Sequence, residues 1–146
     1  MILVLNEWLF EDLLGRNGSN KQEETRRFLL ALEASEDKFV IPSKKRWNDK
    51  GYSLMTQRDI RLQGISKLFN SLRLNSDKAV VQVTTPEIPE ALLDQLPSED
   101  VYLVSAYLSA GADLLVTTDR GLFDSLVGSD FVLCQMRDEF LSGYLS

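Results

Sequence analysis

The chain has 146 residues, 44% of them hydrophobic and 26% charged, with a net charge of -6, the size and balance of one globular domain with its own core. It has no histidine and one cysteine, Cys134, which excludes Ser-His-Asp and Cys-His chemistry and leaves carboxylates with their metals as the main catalytic candidates. No apolar run approaches the ~20 residues of a membrane span, and the opening MILVLNEWLF lacks a basic leader and a cleavage site, so the expectation is a cytoplasmic protein with no membrane partner.

Residues 2–5, ILVL, read as a fully buried strand. Trp8, Leu9, Leu13 and Leu14 then follow at helical spacing, and Gly15 and Gly18 end that segment. A second helix is expected from about Gln22 to Ala34, with Phe28, Leu29 and Leu32 turned inward. The run KFVI stops at Pro42, after which Ser43 is placed to cap a basic helix. Over 54–74, Ile60, Ile65, Leu68, Phe69 and Leu72 fall on one helical face and leave Arg58, Arg61, Lys67 and Arg73 mainly outside. AVVQV at 79–83 is the next strand, and a connection punctuated by Pro86, Pro89 and Pro97 has room for one short helix, EALLDQL. A helix at 98–110, a strand at 113–117, a short helix near 120–126, a strand around 131–134 and a terminal helix complete the chain. This alternation predicts a parallel α/β sheet in one domain, 1–146.

Charge is unevenly spread. Residues 44–78 carry nine basic side chains against three acidic ones, inside an otherwise acidic protein. A basic middle of this kind offers a surface to phosphates, or forms an ordinary solvated helical face. Within it, Lys44, Lys50 and Arg58 are candidates to hold a nucleic-acid backbone. Trp47 and Tyr52 are either stacking platforms or plain core aromatics.

The chemistry concentrates in SEDVYLVSAYLSAGADLLVTTDRGLF, residues 98–123. Asp100 stands near the start of an apolar helix, on one side with Val104, Tyr107 and Gly111; Asp119 lies just past a strand. Each has a structural explanation: Asp100 complements the helix dipole behind a Ser98 cap, and Asp119 caps the helix that opens at Arg120. Ligands in parallel sheets bind outside the carboxyl ends of strands, which is where Asp119 lies. The helix bearing Asp100 should begin on the same edge, and ILVL delivers Asn6 and Glu7 there. Carboxylates converging in this way repel unless a cation sits between them, and Mg²⁺ or Mn²⁺ suits oxygen ligands.

The opening strand and, more clearly, residues 98–123 resemble the PIN domain family, small metal-dependent ribonucleases that include the toxins of bacterial and archaeal toxin–antitoxin pairs. Asp100 and the TTD motif ending in Asp119 match the family's last two acidic positions, with Thr117 as an auxiliary hydroxyl beside them. The resemblance implies a three-layer α/β/α fold with a central parallel sheet. It also implies Mg²⁺ or Mn²⁺ held by Asp100, Asp119 and Asn6, with Glu7 completing the catalytic set. RNA is the implied substrate, an antitoxin and a second copy of the chain the implied partners. Two departures stand out. Asn6 replaces the family's first Asp, and a carboxamide brings no charge and cannot act as a base. The middle acid has no Glu to fill it, since residues 43–66 offer only Asp49 and Asp59.

Two expectations follow from different classes. The first is a metal-dependent ribonuclease of the kind that includes toxins. The second is a PIN-like module that has lost catalysis and binds RNA or a protein partner. A nucleotide-binding α/β domain is disfavoured, because no Gly-rich phosphate loop follows the first strand.

Overall fold

The apolar runs become the strands of one sheet. The computed structural model describes residues 1–146. In chain order the elements are β1 (Ile2–Leu5), α1 (Trp8–Leu13), α2 (Ser19–Ala34), β2 (Lys38–Ile41), α3 (Lys45–Met55), α4 (Gln63–Leu74), β3 (Ala79–Val81), α5 (Glu90–Leu93), α6 (Val101–Ala110), β4 (Leu114–Thr117), α7 (Arg120–Leu126), β5 (Cys134–Met136) and α8 (Arg137–Tyr144). Short 3-10 turns at Ile60–Leu62 and Ser98–Asp100 precede α4 and α6. All strand pairs are parallel, in the order β3-β2-β1-β4-β5. Leu3 lies opposite both Phe39 and Leu114, and Leu5 opposite Val116.

Alternate side chains of a strand point to opposite faces, so each strand feeds two cores. Leu3, Leu5, Phe39, Leu114 and Val116 pack with α1, α2, α3, α4 and α8. Val4, Val40 and Leu115 pack on the other face with α5, α6 and α7. The result is a three-layer α/β/α arrangement. Aromatic edges lock the larger core: Phe10 meets Trp47 at 4.8 Å and Phe69 at 5.4 Å between ring centroids, both T-shaped. Gly111 ends α6 at φ 60°, a left-handed position that costs a side-chain residue energy. Two residues later the Asp113 carboxylate accepts the Ile2 amide at 2.7 Å, tying the start of β4 to β1.

Several boundaries differ from the expectation. Basic helix and amphipathic segment are separate: α3 stops at Met55, where Thr56 Oγ1 donates to the Tyr52 carbonyl at 2.9 Å and Gln57 Nε2 to that of Ser53 at 2.9 Å. The Gln57 bond satisfies the Ser53 carbonyl, which the Gln57 amide would have taken in a continuing helix; that amide turns to the Leu54 carbonyl instead. Ile60, expected to face inward, falls in the following 3-10 turn and is 80% exposed. Ser43 does not cap α3; Lys44 holds that position, and the Ser43 amide donates to Gln82 Oε1 instead. The last strand lies at Cys134–Met136 rather than 131–134, because ladder pairing with β4 begins at the Leu133 carbonyl. No helix is long and apolar enough to cross a membrane.

Candidate functional site

Strand order reverses between β1 and β4, and in parallel sheets a crevice opens at such a point, outside the carboxyl ends of the strands. Asn6 follows β1, and Thr118 and Asp119 follow β4. The turn Ser98–Asp100 brings the start of α6 to the same place. Together with Glu7, Glu11 and Arg46 these residues line a cavity of about 530 Å³. Thus Asn6, Glu7, Asp100 and Asp119 meet in one open, mainly anionic hollow.

The two aspartates behave differently as helix-start residues. Asp119 caps α7, its Oδ1 accepting the Leu122 amide at 3.2 Å. Room for that bond depends on Gly121, where a Cβ would approach Asp119 Oδ1 to 3.2 Å. Asp100 also occupies an N-cap position, at the head of α6, yet its side chain makes no cap bond. Its residue is 4% exposed, and Oδ2 is buried with no hydrogen-bond partner. A buried carboxylate oxygen left bare is costly. Burial first, and then a hydrogen bond to Asp119 and its negative charge, push the Asp100 carboxyl up to about 7, with Arg46 pulling weakly the other way. Without a cation, burial and the neighbouring carboxylate favour the protonated form of Asp100 well above the ordinary carboxylate range.

Behind the pair lies a polar brace. Thr117 is fully buried, and its Oγ1 accepts from Asn6 Nδ2 at 3.0 Å and from the Asp119 amide at 3.0 Å. Asn6 Oδ1 accepts the Glu7 amide at 2.6 Å. Asn6 and Thr117 therefore fix where Asp119 and Glu7 leave their elements. The Asn6 oxygen is aimed at its own backbone, which leaves one lone pair for anything else.

Glu7 faces cations rather than the aspartates. Arg46 Nε donates to its Oε1 at 2.8 Å, and Lys50 Nζ lies 3.9 Å away while bonding Glu11 at 2.8 Å. Glu7 and Glu11 are one turn apart on the α1 side, and Arg46 and Lys50 are one turn apart on α3, so opposite charges meet rung by rung. The middle helix thus presents an arginine where an acid was sought. Asp49 bonds Lys45 at 2.6 Å, and Asp59 pairs with Arg61; neither lines the hollow. The matching i,i+4 pairs of opposite sign were the signal in the sequence that could have singled out Arg46.

Of the backbone-holding candidates, Lys44 lies at the rim, its Nζ 5.6 Å from the Tyr102 ring centre. Lys50 is tied to Glu11, and Arg58 stands beyond the far end of α3, away from the cavity lining. Trp47 is buried, its Nε1 donating to the Leu5 carbonyl at 2.9 Å, so it is a core aromatic and no stacking platform. Tyr52 is 57% exposed under the Arg73 guanidinium.

The donor set suits one hard cation. Two neighbouring carboxylates, one with a bare buried oxygen, open on a cavity with room for water and a phosphate; Mg²⁺ is commonly held by one or two carboxylates plus such ligands. No group of three or more His, Cys, Asp or Glu side chains is arranged to hold a metal ion unaided. The residues fit a single, incompletely protein-ligated ion.

Comparison with known proteins gave no match to a family model, a curated protein or a solved structure.

Proposed function

We propose that this protein is a PIN-type, divalent-metal-dependent ribonuclease, whose working hollow lies at the β1/β4 switch point. One observation carries the reading: the bare, buried oxygen of Asp100 beside a second carboxylate, Asp119, at the edge where parallel sheets bind ligands. Evolution of a purely structural helix cap would have given Asp100 a backbone partner, as Asp119 has.

Asp100 and Asp119 would hold Mg²⁺ or Mn²⁺. When bound, that ion supplies the Lewis acidity for hydrolysis of a phosphodiester by water. The protein's own part is positional. Asp119 is fixed by its cap bond to α7 and by Thr117 under its amide. Asp100 is held low in the hollow by burial, with a carboxyl oxygen that no protein donor occupies, and would give up its proton to take the ion. Asn6 braces Thr117, and Lys44 offers charge at the rim for the RNA backbone. A toxin role, with an antitoxin that covers the hollow, belongs to the same proposal.

A second reading has its own support. Asn6 is spent on Thr117 and Glu7, and the middle helix brings Arg46 in place of an acid, as in a PIN-like module that binds RNA or a protein without cutting. Calorimetric titration with Mn²⁺ followed by RNA cleavage separates the two. The nuclease reading expects Mn²⁺-dependent cleavage that Asp100→Asn and Asp119→Asn each reduce by about a thousandfold, roughly 4 kcal/mol of barrier. Cleavage by the variants at the original rate would end it.

A further inference from the structure

The guanidinium of Arg46 is built into the wall of the acidic hollow. Its Nε is used by Glu7 at 2.8 Å and its Nη2 by the Glu99 carbonyl at 3.3 Å, while Nη1 has no protein partner. The group lies over the Tyr102 ring, 5.6 Å from its centre, with Lys44 at the same distance. Tyr102 is two residues beyond Asp100, so the platform that orients Arg46 belongs to the same helix start as the bare carboxylate. A planar guanidinium on an aromatic face, with a free pair of N–H groups and a side chain 44% exposed, suits an incoming phosphate oxygen. Of the acids lining the hollow, Glu7 and Glu11 are answered by Arg46 and Lys50, which leaves Glu99, Asp100 and Asp119 without a protein cation, and of these Asp100 and Asp119 form the close pair.

We infer that Arg46 supplies the second positive charge of this site: it binds a non-bridging oxygen of the phosphodiester opposite the Asp100–Asp119 pair, and the hollow accepts one divalent ion rather than two. This rests on the nuclease reading and adds the group that seats the substrate. Glu7 then has a definite task. It holds the guanidinium in place and leaves Nη1 pointing free, which makes it a positioning residue and not a metal ligand.

The test uses the full chain and two readouts apart from turnover: Mn²⁺ stoichiometry by calorimetry, and anisotropy of a short fluorescein-labelled single-stranded oligoribonucleotide in Ca²⁺. The natural protein should bind one Mn²⁺. Arg46→Ala should bind Mn²⁺ at least as tightly, lose about tenfold in RNA affinity, and show a salt slope shallower by about 0.7. Arg46→Lys should fall between, because a point charge keeps the attraction without the fork. Glu7→Gln, which keeps an oxygen to accept from Arg46 Nε and removes only the competing negative charge, should keep RNA affinity or raise it. Equal losses in Arg46→Ala and Glu7→Gln would mean that the pair only braces the fold, and would overturn the inference while leaving the metal site intact. Two Mn²⁺ bound per chain would overturn it as well. No Mn²⁺ bound at all removes the nuclease reading itself, and the inference with it.

Discussion

Two aspartates of this protein are almost wholly buried, and they lead opposite lives. Asp12, in α1, receives Arg137 Nε at 2.7 Å, Thr25 Oγ1 at 2.8 Å and Asn17 Nδ2 at 2.7 Å. Arg137 in turn reaches Glu24, Asp138 and the Lys21 carbonyl. Every polar atom there has a partner, and nothing is left over for a ligand. Asp100 has a bare oxygen and faces another acid. Burial is the same; satisfaction is what separates a structural charge from a working one. Asp12 and Arg137 join α1 to α8 and anchor the helix layer on the face opposite α6 and α7, whose starts carry the unsatisfied pair.

The sharpest way to break this comparison is to remove the partner of the satisfied acid. Arg137→Met leaves Asp12 buried without its cation, and should cost about 3–5 kcal/mol in a urea melt. Burial alone would lower the Arg137 pKa, but its hydrogen bonds with Asp12 and Asp138 hold it above the ordinary value. If Arg137→Met unfolds at nearly the natural urea midpoint, the cluster is not the anchor described here.

Asp100→Asn should have the opposite sign. It removes a charge that the fold does not satisfy, and should stabilise the metal-free protein by about 1–3 kcal/mol at pH 8. That corresponds to roughly 2–4 °C in Tm for each kcal/mol in a chain of this size. Asp12→Asn, made beside it, should destabilise. The pH dependence follows from the same group. Its folded pKa of about 7 stands above the ordinary 3.8, so in that window the native state binds the additional proton. Stability contributed by the protonated form is then lost as pH rises from about 4 through about 7, and this loss should be absent in Asp100→Asn, leaving the opposite slope of acids with lowered pKa such as Glu11 and Asp37. A native chain whose Tm is flat across that range would show that Asp100 ionises as an exposed carboxyl does.

How much of this was open to reading in advance depends on which residues carry it. The buried strands were legible because a parallel sheet covered on both faces reads as unbroken apolar runs, as in ILVL and the LLV that opens β4. Convergence of Asp100 with Asp119 followed from parallel topology alone. Arg46 was missed within KKR: composition does not separate three consecutive cations, and only its i,i+4 spacing from Lys50, matched to that of Glu7 and Glu11, set it apart. In the structure Lys45 is 88% exposed, while its neighbours flank Tyr102. The Asp12–Arg137 pair was equally hidden, its members separated by 125 positions with no local periodicity to join them. Ile60 misled because its spacing was helical but its backbone is a 3-10 turn.

Asn6→Asp sharpens the contrast from the other side. It adds an acid to the unsatisfied region, and Thr117 can accommodate it. The hydroxyl accepts from Asn6 Nδ2 and the Asp119 amide, so its own proton is free to turn toward a carboxylate. Mn²⁺ affinity should rise by about tenfold, roughly 1.4 kcal/mol, read by calorimetry. No gain would mean that position 6 faces away from the ion.

The smallest effect is expected where the acids are already answered at the surface. Asp49 is bonded to Lys45 one helical turn away, and Asp59 caps the 3-10 turn while pairing with Arg61. Exposed pairs of this kind contribute little, and neither residue lines the hollow. Asp49→Asn and Asp59→Asn should therefore leave Mn²⁺ affinity unchanged within a factor of about two, well below 1 kcal/mol. A tenfold drop in either would place a third carboxylate at the ion. The middle helix would then supply an acid after all, and Arg46 would lose its claim to be the positive charge standing in that place.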